Sequence, residues 1–328
     1  MTTAVIDMDL YKYHAAAAGE KRDVVVTHKT TGRSFVVKTR TEFYGHWSKK
    51  NGGILAELNA TRTSPYLPEE FHYEDRQHPE PIENVLHTAK TMVHKDLDLS
   101  GADRHKAFLG SGDSWRVERS TILKYKQNRE SLIKPLYLED VSEYLRNKFK
   151  AEVVEYWEAD EAVVMECLDK VDHFALIEDK DFWGCPVNVW DRNQPQRGVV
   201  NCNKFGKLFV DNAGKIRGEG RLWLYHQICS GDASDNYRAN SASHVKWGEK
   251  SSYALLGECS SDIEAFRKMI EIYKHLYPEP KEIVGWRGNS ILIDWKYVLE
   301  ENFQMARMYR HTQDHVSIID VLCERGLV

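Results

Sequence analysis

The stretch AEVVEYWEADEAVVMECLDKVDHFALIEDKDF, residues 151–182, contains the pattern that decides the fold. β-Branched and aromatic residues predict a strand at 151–157, apolar residues at helical spacing predict a helix at 159–171, and a second apolar run predicts a strand from 173. Strand, helix and strand in this order are typical of a crossover unit in a parallel sheet. The sequence therefore predicts an α/β fold whose central, mainly parallel sheet is flanked by helices.

Other segments extend this pattern in both directions. The further predicted elements are strands at 4–6 and at the start of 105–115, helices at 82–97 and 136–149, a hairpin of 23–27 with 34–38 around a Thr-Thr-Gly turn, and a mostly helical tail beyond about residue 250. We predict a core of residues 1–225, with an insertion at about 16–100 and a basic arch at about 104–134, followed by a helical region at 226–328.

Composition narrows the class of protein. The 328 residues are 42% hydrophobic and 29% charged, which is typical of a soluble globular protein. No run of about 18 apolar residues predicts a membrane span, and the N-terminal residues do not resemble a secretory signal. The six cysteines form no CxxC pair, which argues against a zinc site and favours reduced thiols. We expect a cytoplasmic protein, monomeric, without a membrane partner.

Charge is unevenly distributed. The net charge is −5, yet residues 104–134 contain eight Lys or Arg and three acids, a local net charge of 8 − 3 = +5. A basic segment of this kind is often a solvated surface, but it also suits contact with phosphate groups. We therefore expect a basic surface beside a site that holds cations.

Acidic residues cluster at the ends of predicted strands and in one later turn. The groups are Asp7 with Asp9, Glu158 with Asp160 and Glu161, Asp179 with Asp181, and Asp232 with Asp235. Carboxyl ends of parallel strands share one edge of a sheet, so we expect the first three groups to meet there. Buried carboxylates repel one another unless a cation offsets them, and oxygen ligands suit Mg²⁺ or Mn²⁺. So many acids favour two ions, roughly 3.5–4 Å apart, acting on a phosphodiester.

Two of these groups also have a simpler interpretation. Asp232 and Asp235 suit a turn and a helix cap, and the acids at 158–161 suit the first turn of a helix. Neither interpretation accounts for the acids that directly follow the strand at 173–177.

The order of the motifs resembles that of the flap endonuclease and 5′→3′ exonuclease superfamily, especially bacteriophage 5′-nucleases and the 5′-nuclease domain of bacterial repair DNA polymerases. The motifs are Asp7, YKQNR at 125–129, EADE at 158–161, DKD at 179–181 and GDASDN at 231–236, and they span about 230 residues. The resemblance implies a parallel sheet of the PIN-like 5′-nuclease type, a helical arch, two metal ions and a helix–turn–helix variant that grips duplex DNA.

The resemblance also implies roles for individual residues. Ligands of the first ion would be Glu158, Asp160 and Glu161 with Asp7 nearby, and ligands of the second would be Asp181, Asp232 and Asp235 with Asp179 between the two. Glu161 stands where the family has aspartate, so its reach differs. The family's acid after the second strand is assigned to Asp113, with Ser111 as the alternative.

Basic and aromatic residues complete this expectation. Lys126 and Arg116 would stabilise charge on the phosphate in the transition state, with Arg129 beside them. Tyr125 would stack on a terminal base or pack in the core. In the helix–turn–helix variant, the resemblance implies that Lys246, Lys250 and Ser251 contact duplex phosphates and that a K⁺ ion binds beside them.

The function that follows is hydrolysis of DNA, with RNA primers as a further substrate, from or near a 5′ end, flap or single-strand/duplex junction in replication or repair. The alternatives are a PIN-type ribonuclease, a catalytically inactive structure-specific DNA-binding protein, and a metal phosphohydrolase for small molecules. The basic segment at 104–134 and the motif at 231–236 favour the first function.

Overall fold

The structure is a computed structural model that describes residues 1–46 and 52–328. These residues form two compact units, each described here by itself. The first unit comprises Met1–Tyr11, Thr91–Ile133 and Ser142–Val328, and the second comprises Lys12–Lys90 and Lys134–Val141.

The described residues form the following elements. The strands are β1 (Thr3–Asp7), β2 (Glu20–His28), β3 (Ser34–Val37), β4 (Phe71–Pro79), β5 (Arg104–Gly110), β6 (Glu152–Val154), β7 (His173–Ile177), β8 (Asn188–Asp191), β9 (Val200–Asn201), β10 (Lys207–Val210), β11 (Ile216–Glu219), β12 (Lys281–Val284) and β13 (Ser290–Ile293). The α-helices are α1 (Met8–Ala18), α2 (Arg40–Tyr44), α3 (Gly53–Asn59), α4 (Ile82–Ser100), α5 (Trp115–Arg119), α6 (Leu138–Phe149), α7 (Ala159–Cys167), α8 (Arg221–Ser230), α9 (Glu249–Leu256), α10 (Asp262–Leu276), α11 (Trp295–Ala306) and α12 (Ile318–Glu324). Single 3₁₀ turns occupy Pro68–Glu70, Gln127–Arg129, Lys180–Gly184 and Pro195–Arg197.

A six-stranded, mainly parallel sheet forms the centre of the first unit, in the order β6-β5-β1-β7-β8-β9. Only β9 runs antiparallel to its neighbour. Ala4, Val5 and Ile6 on β1 are fully buried, as expected for a central strand covered on both faces. Helix α7 packs on this sheet through Val163 and Val164. The predicted α/β class, with its mainly parallel sheet flanked by helices, is confirmed.

The second unit contains an antiparallel sheet in the order β3-β2-β4. The predicted hairpin is confirmed, because Val24 pairs with Val37 and Thr27 pairs with Ser34. Strand β4 was not predicted. Its sequence FHYEDRQHP buries only Phe71 well, so polar residues obscure the alternation that marks a strand. The second unit covers much of the insertion expected at 16–100.

The segment expected to form a basic, helical arch contains little helix. Residues 104–110 are strand β5 of the central sheet, and the rest of 104–134 contains only α5 and one 3₁₀ turn as helical structure among the described residues. The predicted domain boundary at 225/226 falls inside helix α8. In the described part of the chain, no helix combines the length and the apolar character needed to cross a membrane.

Candidate active site

Three acid groups lie at the carboxyl edge of the parallel strands. Strand β1 ends at Asp7, β7 ends just before the 178–181 segment, and β6 is followed by Glu158. The backbone N–H of Asp9 donates to Asp7 Oδ1 at 2.8 Å, and Asp9 Oδ2 accepts from the N–H of Gly110 at 3.2 Å. A Cβ on Gly110 would lie 2.7 Å from that oxygen, so glycine permits the approach of Asp9 to β5.

Tyr125 joins two acids that are far apart in sequence. Its hydroxyl lies 3.0 Å from Glu158 Oε2 and 3.1 Å from Asp235 Oδ2. Lys126 forms an ion pair with Glu158, and its Nζ lies 3.9 Å from Asp235 Oδ1. Arg129 donates to the same Asp235 oxygen at 2.9 Å. The structure therefore brings the acids of the EADE and GDASDN motifs together beneath the cations of the YKQNR motif.

Arg116 and Tyr125 are buried, and for Tyr125 this agrees with the packing alternative. Arg116 is 2% exposed; it forms ion pairs with Glu158 and, at 3.0 Å, with Glu161, and it donates to the carbonyl of Arg307 at 3.2 Å. Its Nη1 and Nη2 atoms thus contact acceptors of the protein itself. Tyr125 is 4% exposed, so its ring packs in the core and is not open to a stacking base.

The pKa values of Glu158 and Asp160 are shifted in opposite directions. Burial alone would raise the pKa of Glu158, but the charges of Arg116 and Lys126 lower that pKa to about 2. Burial raises the pKa of Asp160 well above its ordinary value, and the neighbouring Glu158 charge raises it further. At neutral pH the group therefore holds one strongly ionised carboxylate beside another whose negative charge is costly.

The pKa values of Asp181 and Asp232 are also shifted in opposite directions. Burial raises the pKa of Asp181, and the charge of Asp179 adds to the rise. Burial would also raise the pKa of Asp232, but Lys180, whose Nζ lies 2.7 Å from Asp232 Oδ2, lowers it. The side-chain amide of Gln227 donates to Asp181 Oδ1. Sequence reasoning missed both Lys180 and Gln227; the place of Lys180 inside DKD was a signal, whereas nothing in the sequence marked Gln227.

Glu161 has a different environment from the one predicted. Its carboxylate is fully buried and accepts from Trp115 Nε1 at 2.9 Å, from the N–H of Tyr309 at 3.2 Å and from the N–H of Glu158 at 3.2 Å, in addition to the Arg116 ion pair. Protein donors thus occupy both oxygens. The prediction that Glu161 binds the first ion does not fit this arrangement.

A C-terminal loop supports the acid edge, and sequence reasoning did not find it. The ring of Tyr309 packs against Trp115, with 4.2 Å between centroids, and against Trp157, with 5.1 Å. Arg307 Nη2 forms a 2.6 Å ion pair with Asp314, and the two side chains are 6% and 2% exposed. Residues 307–314 therefore connect the end of α11 to the acids at the start of α7.

The remaining predicted residues lie apart from these contacts. Asp113 is exposed and precedes Ser114, which caps α5. The N–H of Ser111 donates to the carbonyl of Val154 at 3.0 Å, which continues the pairing of β5 with β6. At the start of α9, the predicted duplex contacts are the exposed Lys246 and Lys250 and the half-buried Ser251.

The acids suit a hard cation by their chemistry. Among residues 1–46 and 52–328, no three Asp, Glu, His or Cys side chains form a ready-made metal cage. Lys126, Arg129 and Lys180 pair with acids of this region. The donors are nevertheless all oxygens, as Mg²⁺ and Mn²⁺ prefer. Burial, together with neighbouring carboxylates, raises the pKa of Asp160 and of Asp181, so a cation placed beside either would favour its ionised form.

Comparisons with known proteins find similarity to a solved structure but no match to a family or to a curated sequence. No protein-family model matches the sequence, and no curated protein matches it. Among solved structures, the chain is similar to one described as "Crystal Structure of T5 D15 Protein Co-crystallized with Metal Ions". The two are 15% identical with a TM-score of 0.41, and the match covers 67% of this chain and 80% of that chain. A likeness of this extent does not assign an activity.

Proposed function

We propose that this protein is a metal-dependent nuclease that hydrolyses DNA phosphodiesters at or near 5′ ends, as a structure-specific 5′→3′ exonuclease or flap endonuclease of replication or repair, with RNA primers as a further substrate. The observation that carries this proposal is the convergence of Glu158 and Asp235 on the Tyr125 hydroxyl, directly beneath Lys126. Acids from separate parts of the chain and a basic segment thus share one edge of the sheet. The order of the sequence motifs supports the same function.

The proposed ligands include Asp160 and Asp181, the two acids whose pKa values burial raises furthest. Glu158 and Asp160, with Asp7 nearby, would hold one Mg²⁺ or Mn²⁺; Asp181, Asp232 and Asp235 would hold a second, with Asp179 between them. When bound, such ions lower the pKa of a water nucleophile and stabilise the leaving oxygen.

The chain's own cations would hold and orient the phosphate. Lys126 adopts a left-handed backbone conformation, with φ of 54°, and its N–H donates to the carbonyl of Asp235 at 3.0 Å. This turn carries the partly exposed Lys126 and the exposed Arg129 over the acids. We propose that both side chains exchange their acid partners for substrate phosphate, while the buried Arg116 keeps Glu158 in place.

Removal of the metal tests the reaction class. The protein is incubated with 5′-labelled flap, blunt duplex and single-stranded DNA, and with matched RNA, in Mg²⁺ and in EDTA. We expect DNA products from the 5′ end only in Mg²⁺. Cleavage that survives EDTA contradicts the metal mechanism. Cleavage of RNA alone indicates a PIN-type ribonuclease, and binding without cleavage in Mg²⁺ or Mn²⁺ indicates an inactive DNA-binding protein.

Lys126→Ala is expected to slow the chemical step by about a hundredfold, because a cation that faces the phosphate stabilises developing charge. Single-turnover rates at saturating enzyme separate this effect from binding. Lys148→Ala, which removes an exposed lysine at the end of α6, is the matched control. If Lys126→Ala alters only salt-dependent affinity, then Lys126 guides the substrate electrostatically and takes no part in chemistry.

A further inference from the structure

A second basic segment lies outside the site described above. Residues 192–217 contain six cations and one acid, Asp211, a local net charge of 6 − 1 = +5 in a chain of net charge −5. The cations are Arg192, Arg197, Lys204, Lys207, Lys215 and Arg217. We call the surface formed by these six residues and the β10–β11 hairpin the hairpin surface. Its local charge equals that of the basic segment at 104–134.

The hairpin is two-sided. Strands β10 and β11 are antiparallel, with Phe209 opposite Arg217. Leu208 and Ile216 are buried in the core of the first unit. Because side chains alternate along a strand, Lys207, Phe209 and Arg217 lie on the face opposite to that core.

Two clefts connect the hairpin surface to the acid edge. One, of about 280 Å³, is lined by Lys180, Trp183, Arg197, Phe209, Arg217 and Trp223 among others. The other, of about 430 Å³, is lined by Asp7, Asp179, Lys180 and Arg217 among others. Glu178, Lys180 and Arg217 line both clefts, so the two clefts adjoin each other between the acids and the hairpin.

Part of this positive charge is not offset by the protein. Arg192 pairs with Asp96 and Glu178, each at 2.8 Å. Arg197 and Lys204 both pair with Glu219, each at 3.0 Å, and Arg217 pairs with Asp211 at 3.0 Å. Lys207 and Lys215 are exposed, and within the described residues neither has an acidic partner. The charge that the protein leaves without a partner on this surface is that of Lys207 and Lys215, and it suits an anionic ligand.

We propose that the hairpin surface binds the sugar–phosphate backbone of the nucleic acid whose reacting end lies at the acid edge; this inference rests on the proposed function. Regularly spaced phosphates match a row of cations better than a single small anion does. Contacts of this kind position the substrate and carry no sequence information.

The test measures binding without turnover. Affinity for a fluorescent duplex with a 5′ flap is measured in EDTA over a series of KCl concentrations, for the wild type, for Lys207→Gln/Lys215→Gln and for Arg146→Gln/Lys148→Gln. The control pair removes the same charge from exposed positions of α6. For the hairpin variant we expect roughly tenfold weaker binding at low salt and a salt slope smaller by about 2, since each phosphate contact contributes about 1.

The outcomes separate this inference from the proposed function. Equal losses in the two double variants, or no loss in either, overturn the role of the hairpin surface. A specific loss in the hairpin variant, combined with no cleavage by the wild type in Mg²⁺, supports the surface and contradicts only the nuclease. Cleavage by the wild type in Mg²⁺, combined with unchanged affinity of the hairpin variant, supports the nuclease and overturns the role of the hairpin surface.

Discussion

Asparagine in place of Asp181 is expected to reduce DNA hydrolysis by roughly a thousandfold, equivalent to about 4 kcal/mol of transition-state stabilisation. The substitution keeps the shape of the side chain and removes one negative charge from the group formed by Asp179, Asp181 and Asp232. The Gln227 amide, which donates to Asp181 Oδ1, can donate to the asparagine oxygen equally well. Single-turnover rates on the labelled flap substrate in Mg²⁺, with affinity measured separately in EDTA, check the prediction.

The stability of Asp181→Asn provides an independent test of the charge environment of Asp181. Burial and the charge of Asp179 raise the pKa of Asp181 above its unfolded value. Stability therefore falls as pH rises from the unfolded pKa toward the folded pKa, because over that range the unfolded state releases the proton and the folded state keeps it. Asparagine removes that loss of stability, and we expect Asp181→Asn to unfold at the same or a higher urea concentration than the wild type in EDTA. Asp169→Asn is the control, because Asp169 is exposed and its φ of 57° suits asparagine. Unchanged turnover in Asp181→Asn would remove Asp181 from the reaction.

Asp314→Ala is expected to lower the free energy of unfolding by about 3–5 kcal/mol, because it leaves the Arg307 guanidinium buried without its counter-charge. Asp314 also accepts the N–H of Arg310 at 2.8 Å, so the substitution removes a backbone partner as well. Urea unfolding followed by tryptophan fluorescence measures the loss; Trp115 and Trp157, which pack on Tyr309 in this loop, would report its release.

A paired substitution separates charge burial from packing. Arg307→Met/Asp314→Leu replaces both charges with apolar groups, and we expect it to recover most of the stability lost in Asp314→Ala. A loss below about 1 kcal/mol in the single variant would instead mean that water screens the pair, as at an ordinary surface site.

The acid edge could be predicted because its signals are local. Each strand reads as a short apolar run followed within a few residues by an acid, as at Asp7 and Glu158, and parallel strands deliver such residues to one side. The sheet and the approximate place of these acids follow from patterns that span fewer than ten residues.

The roles of Arg116 and Glu161 could not be predicted in this way, because burial depends on partners distant in the chain. Arg116 donates to a carbonyl 191 residues away, and Glu161 accepts from a backbone N–H 148 residues away. A charged residue in a basic or acidic motif is ordinarily exposed, so the motif alone favours a role at the surface. Strand β4 was missed for a related reason, since its pairing with β2 and not its own pattern defines it.

The dependence of Glu161 and Arg116 on residues 307 and 309 also has a temporal consequence. A ribosome synthesises Asp7, Glu158 and Asp181 long before it reaches this loop. The nascent chain therefore has neither the carbonyl of Arg307 nor the N–H of Tyr309 while the preceding residues are being synthesised. Until then the carboxylate of Glu161 and the guanidinium of Arg116 lack these two backbone partners.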